Sequence, residues 1–152
     1  MNEINGLPAH ILLVHIVVIV LPLAAGAAIL GSVWPRAQRK FTFLTPLAAL
    51  GGLIAVPLTI NAGQFLAQQL GGEASPALER HITLAGRVLP LAIALFVVTA
   101  AQWAYLQFVT VRRRWLTVVI AVVVIVVSAA TAVQVILTGD AGSQAAWGGV
   151  LG

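Results

Sequence analysis

The stretch VVIAVVVIVV, residues 118–127, carries no polar side chain on any face. As a helix it is apolar all round, which suits a lipid bilayer or a very large core and little else. Similar apolar segments cover residues 8–33, 43–65, 81–109 and 115–137. Each is long enough to cross a hydrocarbon layer of about 30 Å as a helix. Hydrophobic residues make up 61% of the 152 positions and charged residues 8%, far from the balance of a soluble domain. The in-out alternation of a membrane barrel is missing. Because lipid offers the backbone no hydrogen-bond partners, the segments must be helices. The sequence therefore predicts an all-α fold: a polytopic membrane protein whose single domain, 1–152, is a bundle of four transmembrane helices.

The charges predict its orientation. WPRAQRK holds Arg36, Arg39 and Lys40, and the next basic connection holds Arg112, Arg113 and Arg114, so two short connections carry six of the eight basic residues. By the positive-inside rule both face the cytoplasm. The acids Glu3, Glu73, Glu79 and Asp140 then fall on the other side. This places both termini outside, in the inner membrane of a bacterium, with no cleaved signal peptide expected because the basic residues follow the first span. The net charge of +4 is read as topology and contact with anionic lipid, not as affinity for nucleic acid.

Local signals punctuate the spans. NGLPAH reads as a helix start with Asn5 or Gly6 at the cap, and ASPALERH as another with Ser75 as cap, Pro76 at the first position and Glu79 in the first turn. Pro22, Pro57 and Pro90 each free a carbonyl and predict kinks. Ala48/Gly52, Gly51/Ala55 and Ser128/Ala132 allow close helix approach. A duplicated hairpin is suggested by HIVVIVLPLA beside HITLAGRVLPLA, which aligns His15 with His81, and by TINAG and TGDAG closing the two halves. A pseudo-twofold axis along the membrane normal would relate such halves.

The chain has three histidines, His10, His15 and His81, all toward the predicted outer side. An ionisable group in a span needs a partner, a cavity or a cofactor. His10 and His15 lie about 140° apart around one helix, so only one of them points squarely at a given partner. His15, the deeper, is expected to face the bundle, and His10 to sit at the interface or cap a neighbour. Asn61, Gln64, Glu79, Gln134 and Asp140 are expected at the same depth as a polar cluster, with Asp140 or Glu79 orienting an imidazole.

Three chemistries are compatible with this pattern. A haem b would take His15 and His81 as ligands, Gly86 and Ala85 as room for the macrocycle, and Arg80 or Arg87 as partners of its propionates. A single metal ion would take His10, His15 and His81. Alternatively the cluster only ties helix ends together. The absence of cysteine excludes thiolate clusters and covalent c-type haem in this chain. No phosphate loop, zinc-protease helix or nucleophile elbow is present, so catalysis by the chain itself is not expected. The expected role is electron transfer at the outer face, with the bilayer, a membrane redox partner or a second copy as company. A non-catalytic accessory or assembly role is the alternative.

The opening LPAHILLVHIVVIVLPLAA, the third-span start ERHITLAGRVLP and the tail TGDAGSQAAWG resemble the bacterial transmembrane family known as domain of unknown function 2231. The resemblance covers essentially the whole chain. Its marks are a His-x4-His opening, a histidine followed by Leu-x-Gly at the third span, and a Gly-Asp/His-x-Gly-x4-Trp ending. They fall on His10, His15, His81, Leu84, Gly86, Gly139, Asp140, Gly142 and Trp147. Ile11 stands where many members have proline. The resemblance implies the four-helix fold and, through members similar to fusions with Rieske iron-sulfur domains, redox company. It implies no established activity.

Overall fold

The computed structural model describes residues 3, 4, 7–41, 43–70 and 75–148. A two-residue antiparallel pairing of Glu3–Ile4 with Leu7–Pro8 precedes the helices. These are α1 (Ala9–Val33), α2 (Pro35–Phe41), α3 (Leu44–Leu70), α4 (Pro76–Gly86), α5 (Val88–Phe108) and α6 (Arg114–Trp147). The helices α1, α3, the α4–α5 pair and α6 are each long and apolar enough to cross a membrane. The expected all-helical four-span bundle is therefore what the chain forms. The cap expected at Asn5 or Gly6 lies outside the described residues.

The helices run further than the apolar segments alone suggest. The α3 helix continues to Leu70 and α6 to Trp147, absorbing the TGDAGSQAAW tail into a rod about 50 Å long. Polar residues continue a helix once it leaves the hydrocarbon, so hydropathy marks the membrane crossing and not the helix end. The start of α4 follows its local signals: the Ser75 side chain accepts from the Leu78 amide, Pro76 opens the helix and Glu79 lies in the first turn. Pro22 and Pro57 sit inside unbroken α1 and α3. In the third span the helix does break, at Arg87, three residues before Pro90. There the Arg87 amide bonds the Leu84 carbonyl, a tighter turn than the α-helical ladder.

Around the bundle, α1 packs on α3 and α6, α5 packs on the same two, and α1 and α5 are diagonal. Sequential spans are antiparallel neighbours, so both basic connections lie at one end and the histidines at the other. The buried faces repeat. Val17, Leu21, Ala24 and Ala28 of α1 have the spacing of Val88, Ala92, Leu95 and Thr99 of α5. Thr45, Ala49, Val56 and Thr59 of α3 match Val124, Ser128, Val135 and the half-buried Thr138 of α6. The two hairpins are thus built alike around a common axis. The register that relates them pairs His10 with His81, and corrects the alignment of His15 with His81 suggested by the shared Leu-Pro-Leu-Ala.

Close approach and internal hydrogen bonding hold the bundle together. A Cβ on Gly52 would collide with the Leu21 side chain, so the small residue there lets α3 seat against α1. Gly51 instead faces outward with open space beside it, so the expected Gly51/Ala55 contact is made by Ala55 alone. Thr45, Thr59, Thr99, Thr131 and Thr138 each donate to the carbonyl four residues back, which satisfies hydroxyls that lipid cannot. At the basic end, Gln102 donates to Ser32 across helices at 2.9 Å, and Trp103 packs against Phe43 and Phe108. Trp34 and Trp115 at this end and Trp147 at the other are more than half exposed, as membrane-interface anchors are.

Candidate functional site: a cavity between two histidines

Toward the end remote from the basic connections, all four spans contribute to one cleft. It is lined by His10, Val14 and Val17 of α1, Val56 and Thr59 of α3, His81 and Ala85 of α4, and Val135 and Thr138 of α6, among others. It encloses about 490 Å³ of non-atom space counted with its open side, within which the centres of water-sized molecules have about 70 Å³. The walls are almost entirely apolar side chains. Against them the two imidazoles are the outstanding chemical feature.

Both are held in the same way. His10 Nδ1 lies 3.0 Å from the Thr59 carbonyl oxygen, and His81 Nδ1 lies 3.0 Å from that of Thr138. A carbonyl oxygen only accepts, so in each ring Nδ1 is the donor and carries the proton. A neutral imidazole fixed in this tautomer keeps its Nε2 lone pair for a ligand or a donor, the usual arrangement of a histidine that binds metal. Among the described residues neither Nε2 has a hydrogen-bond partner.

One helical turn beyond each carbonyl is a glycine. A Cβ on Gly63 would stand 2.9 Å from Cε1 and Nδ1 of His10, and one on Gly142 would stand 3.0 Å from the same atoms of His81. The glycines let each ring lie directly against the backbone of the neighbouring helix. A Thr-x3-Gly element on the second helix of each hairpin thus receives the histidine of the first. TINAG and TGDAG mark these elements in the sequence, where they are visible as repeat ends but not as histidine cradles.

Several sequence expectations are corrected here. His15 is exposed on the lipid-facing side of α1, its Nδ1 bonded to the Ile11 carbonyl of its own helix, and it does not line the cleft. The helix turned the other way because the cradle on α3 receives His10. Among the described residues no group of three or more histidine or carboxylate side chains could hold a metal ion, so a site from His10, His15 and His81 is not formed. Gly86 and Arg87 are exposed at the break and do not line the cleft, whereas Ala85 does. Arg80 is exposed and donates to Gln144 Oε1 at 3.4 Å.

The expected polar cluster is dispersed as well. Asn61, Gln64 and Glu79 are exposed. Asp140, also exposed, accepts from Gln144 Nε2 at 2.9 Å. Backbone carbonyls, not Asp140 or Glu79, orient the imidazoles. Gln134 serves the backbone: its Nε2 donates to the Leu84 carbonyl at 2.9 Å, beside the break in the third span. Comparison of the chain with protein-family models, with curated proteins and with solved structures finds no match.

Proposed function

We propose that this membrane bundle binds an iron porphyrin of the haem b type between His10 and His81 and passes single electrons at one face of the bilayer. The observation that carries the reading is the pair of imidazoles on one apolar cavity, each with Nδ1 committed to a carbonyl and Nε2 left over. The donor types suit the group: two imidazoles from diagonal spans, each with Nδ1–H committed to a carbonyl, with small residues at Gly63, Gly142, Gly139 and Ala85 beside them. Small-molecule sites typically measure about 300–1,000 Å³. With about 70 Å³ of room for a ligand the cleft is well below that range as it stands, so a porphyrin would enter only by parting the helices around it and would reach through its open side. When bound between two imidazoles, such a group supplies reversible one-electron chemistry with no open position for a substrate.

The chain's own part is positional. Thr59 and Thr138 would keep both rings in the ligating tautomer, the valines would exclude water, and the two hairpins would hold the rings on opposite walls. The proposal includes outward-facing termini in a bacterial inner membrane and electron exchange with a membrane redox partner or a second copy. It also includes kinship with the domain of unknown function 2231 family, whose marks His10, His81, Gly139 and Gly142 all line or abut the cleft.

The second reading is a scaffold. Each histidine–carbonyl bond joins the two spans of one hairpin, α1 to α3 and α4 to α6, so the same contacts would stiffen an accessory protein that binds nothing. A visible spectrum of the detergent-purified protein, as isolated and after addition of hemin, separates the two. The haem reading expects a Soret band that His10→Ala or His81→Ala abolishes and His15→Ala leaves in place. A protein that stays colourless with hemin in excess leaves the scaffold.

A further inference from the structure

The two halves of the cleft are built alike but not attached alike. His10 rides on α1, which runs unbroken for 25 residues and packs along both α3 and α6. His81 rides on α4, an 11-residue helix with no fully buried side chain, separated from α5 by the break at Arg87. The α4 helix packs along α6 and scarcely touches α3. Besides this packing, its hydrogen bonds to other helices among the described residues all involve α6: the Thr138 carbonyl on His81, the Gln134 amide on Leu84 and the Gln144 side chain on Arg80. Proline at position 90 has no N–H for the Gly86 carbonyl, so the hydrogen-bond ladder cannot run straight through the joint.

We infer that α4 is a hinged gate carrying one wall of the site, and that the seam between α3 and α4 is where a flat hydrophobic ligand passes between the bilayer and the cleft. Swinging α4 about the Arg87 joint moves His81 away from His10 while α1, α3, α5 and α6 keep their packing on one another. No α4 side chain is fully buried, so the motion gives up a few hydrogen bonds and the packing of half-buried α4 side chains on α6 and no part of the central core. Closing restores them and brings the second imidazole onto the ligand. The inference rests on the haem reading for the nature of the ligand but not for the motion.

The chain has no cysteine, so spin labels can be placed at will. Labels at Asn61→Cys on α3 and Ile82→Cys on α4, both exposed, report the seam, and labels at Ile11→Cys and Asn61→Cys report the continuous hairpin as a control. In ligand-free detergent-purified protein the seam pair should give a distance distribution clearly broader than the control, and hemin should narrow it. Pro90→Ala, which restores a donor to the ladder, should narrow it without ligand and slow the growth of the Soret band several-fold at unchanged final amplitude. A seam distribution as narrow as the control, or hemin uptake unaltered in rate by Pro90→Ala, overturns the gate. A protein that takes no hemin removes the haem reading, and the ligand-free distances then decide the gate by themselves.

Discussion

Gly63 stands so close to His10 that a single added methyl group would lie 2.9 Å from the imidazole ring. Gly142 repeats the relationship with His81 at 3.0 Å. Real Cβ atoms essentially never come within 3.0 Å of another side chain and rarely as near as that, so in Gly63→Ala the ring or the helix must move, and in Gly142→Ala one of them must give by a few tenths of an ångström. Each substitution should destabilise the bundle by about 1–3 kcal/mol through overpacking, read as a lowered Tm in detergent. Gly26→Ala, where the added Cβ meets nothing within 4 Å, is the matched control and should not lower it. Equal Tm values for Gly63→Ala and Gly26→Ala would show that His10 does not occupy the cradle.

His10 and His15 separate cleanly by environment. His10→Ala removes a bond between two spans and should cost about 0.5–1.5 kcal/mol, the usual net value of one hydrogen bond. His15→Ala, at an exposed site bonded only to its own helix, should stay within about 0.5 kcal/mol of the parent. Unfolding in a graded mixture of mild detergent and sodium dodecyl sulfate measures both. The reverse order would mean that α1 is turned the other way.

Gln134 is the only side chain from another helix that donates to the Leu84 carbonyl among the described residues. Gln134→Leu leaves that carbonyl without it and should cost about 0.6 kcal/mol, up to about 1.7. The local signature matters more: amide exchange at residues 84–88 should quicken while the middle of α5 keeps its protection. Unchanged exchange at the joint would show that Gln134 does not hold it.

Ser75 caps α4 through the Leu78 amide. Ser75→Ala should cost about 1 kcal/mol, spent locally as fraying of the first turn, and faster amide exchange at residues 78–80 checks it. Ser75→Asp, which offers the same acceptor plus a favourable charge at the helix start, should restore protection.

Orientation has an independent check. Val111, in the second basic connection, is 85% exposed, and in a chain without cysteine a Val111→Cys variant gives one addressable thiol. A membrane-impermeant maleimide should label it only after cells are opened, whereas Ser143→Cys at the opposite end should label in intact cells. The opposite pattern would invert the topology.

What the sequence settled by itself was the solvent. Runs such as VVIAVVVIVV leave a backbone no alternative to helices in lipid, and Ser75-Pro76 and Pro90 marked a helix start and a weak joint from local chemistry alone. What it could not settle was rotation. A soluble helix shows which side is inward because water rejects apolar faces, but α1 is apolar in nearly every direction and lipid accepts what a core accepts. Nothing along the chain therefore distinguished His10 from His15, and the deeper residue was the wrong one to turn inward. Only packing decided: Thr59 and Gly63 on α3 offer a carbonyl and a gap at the height of residue 10, Thr138 and Gly142 on α6 offer the same to residue 81, and an imidazole in an apolar bundle lodges where its N–H can be received.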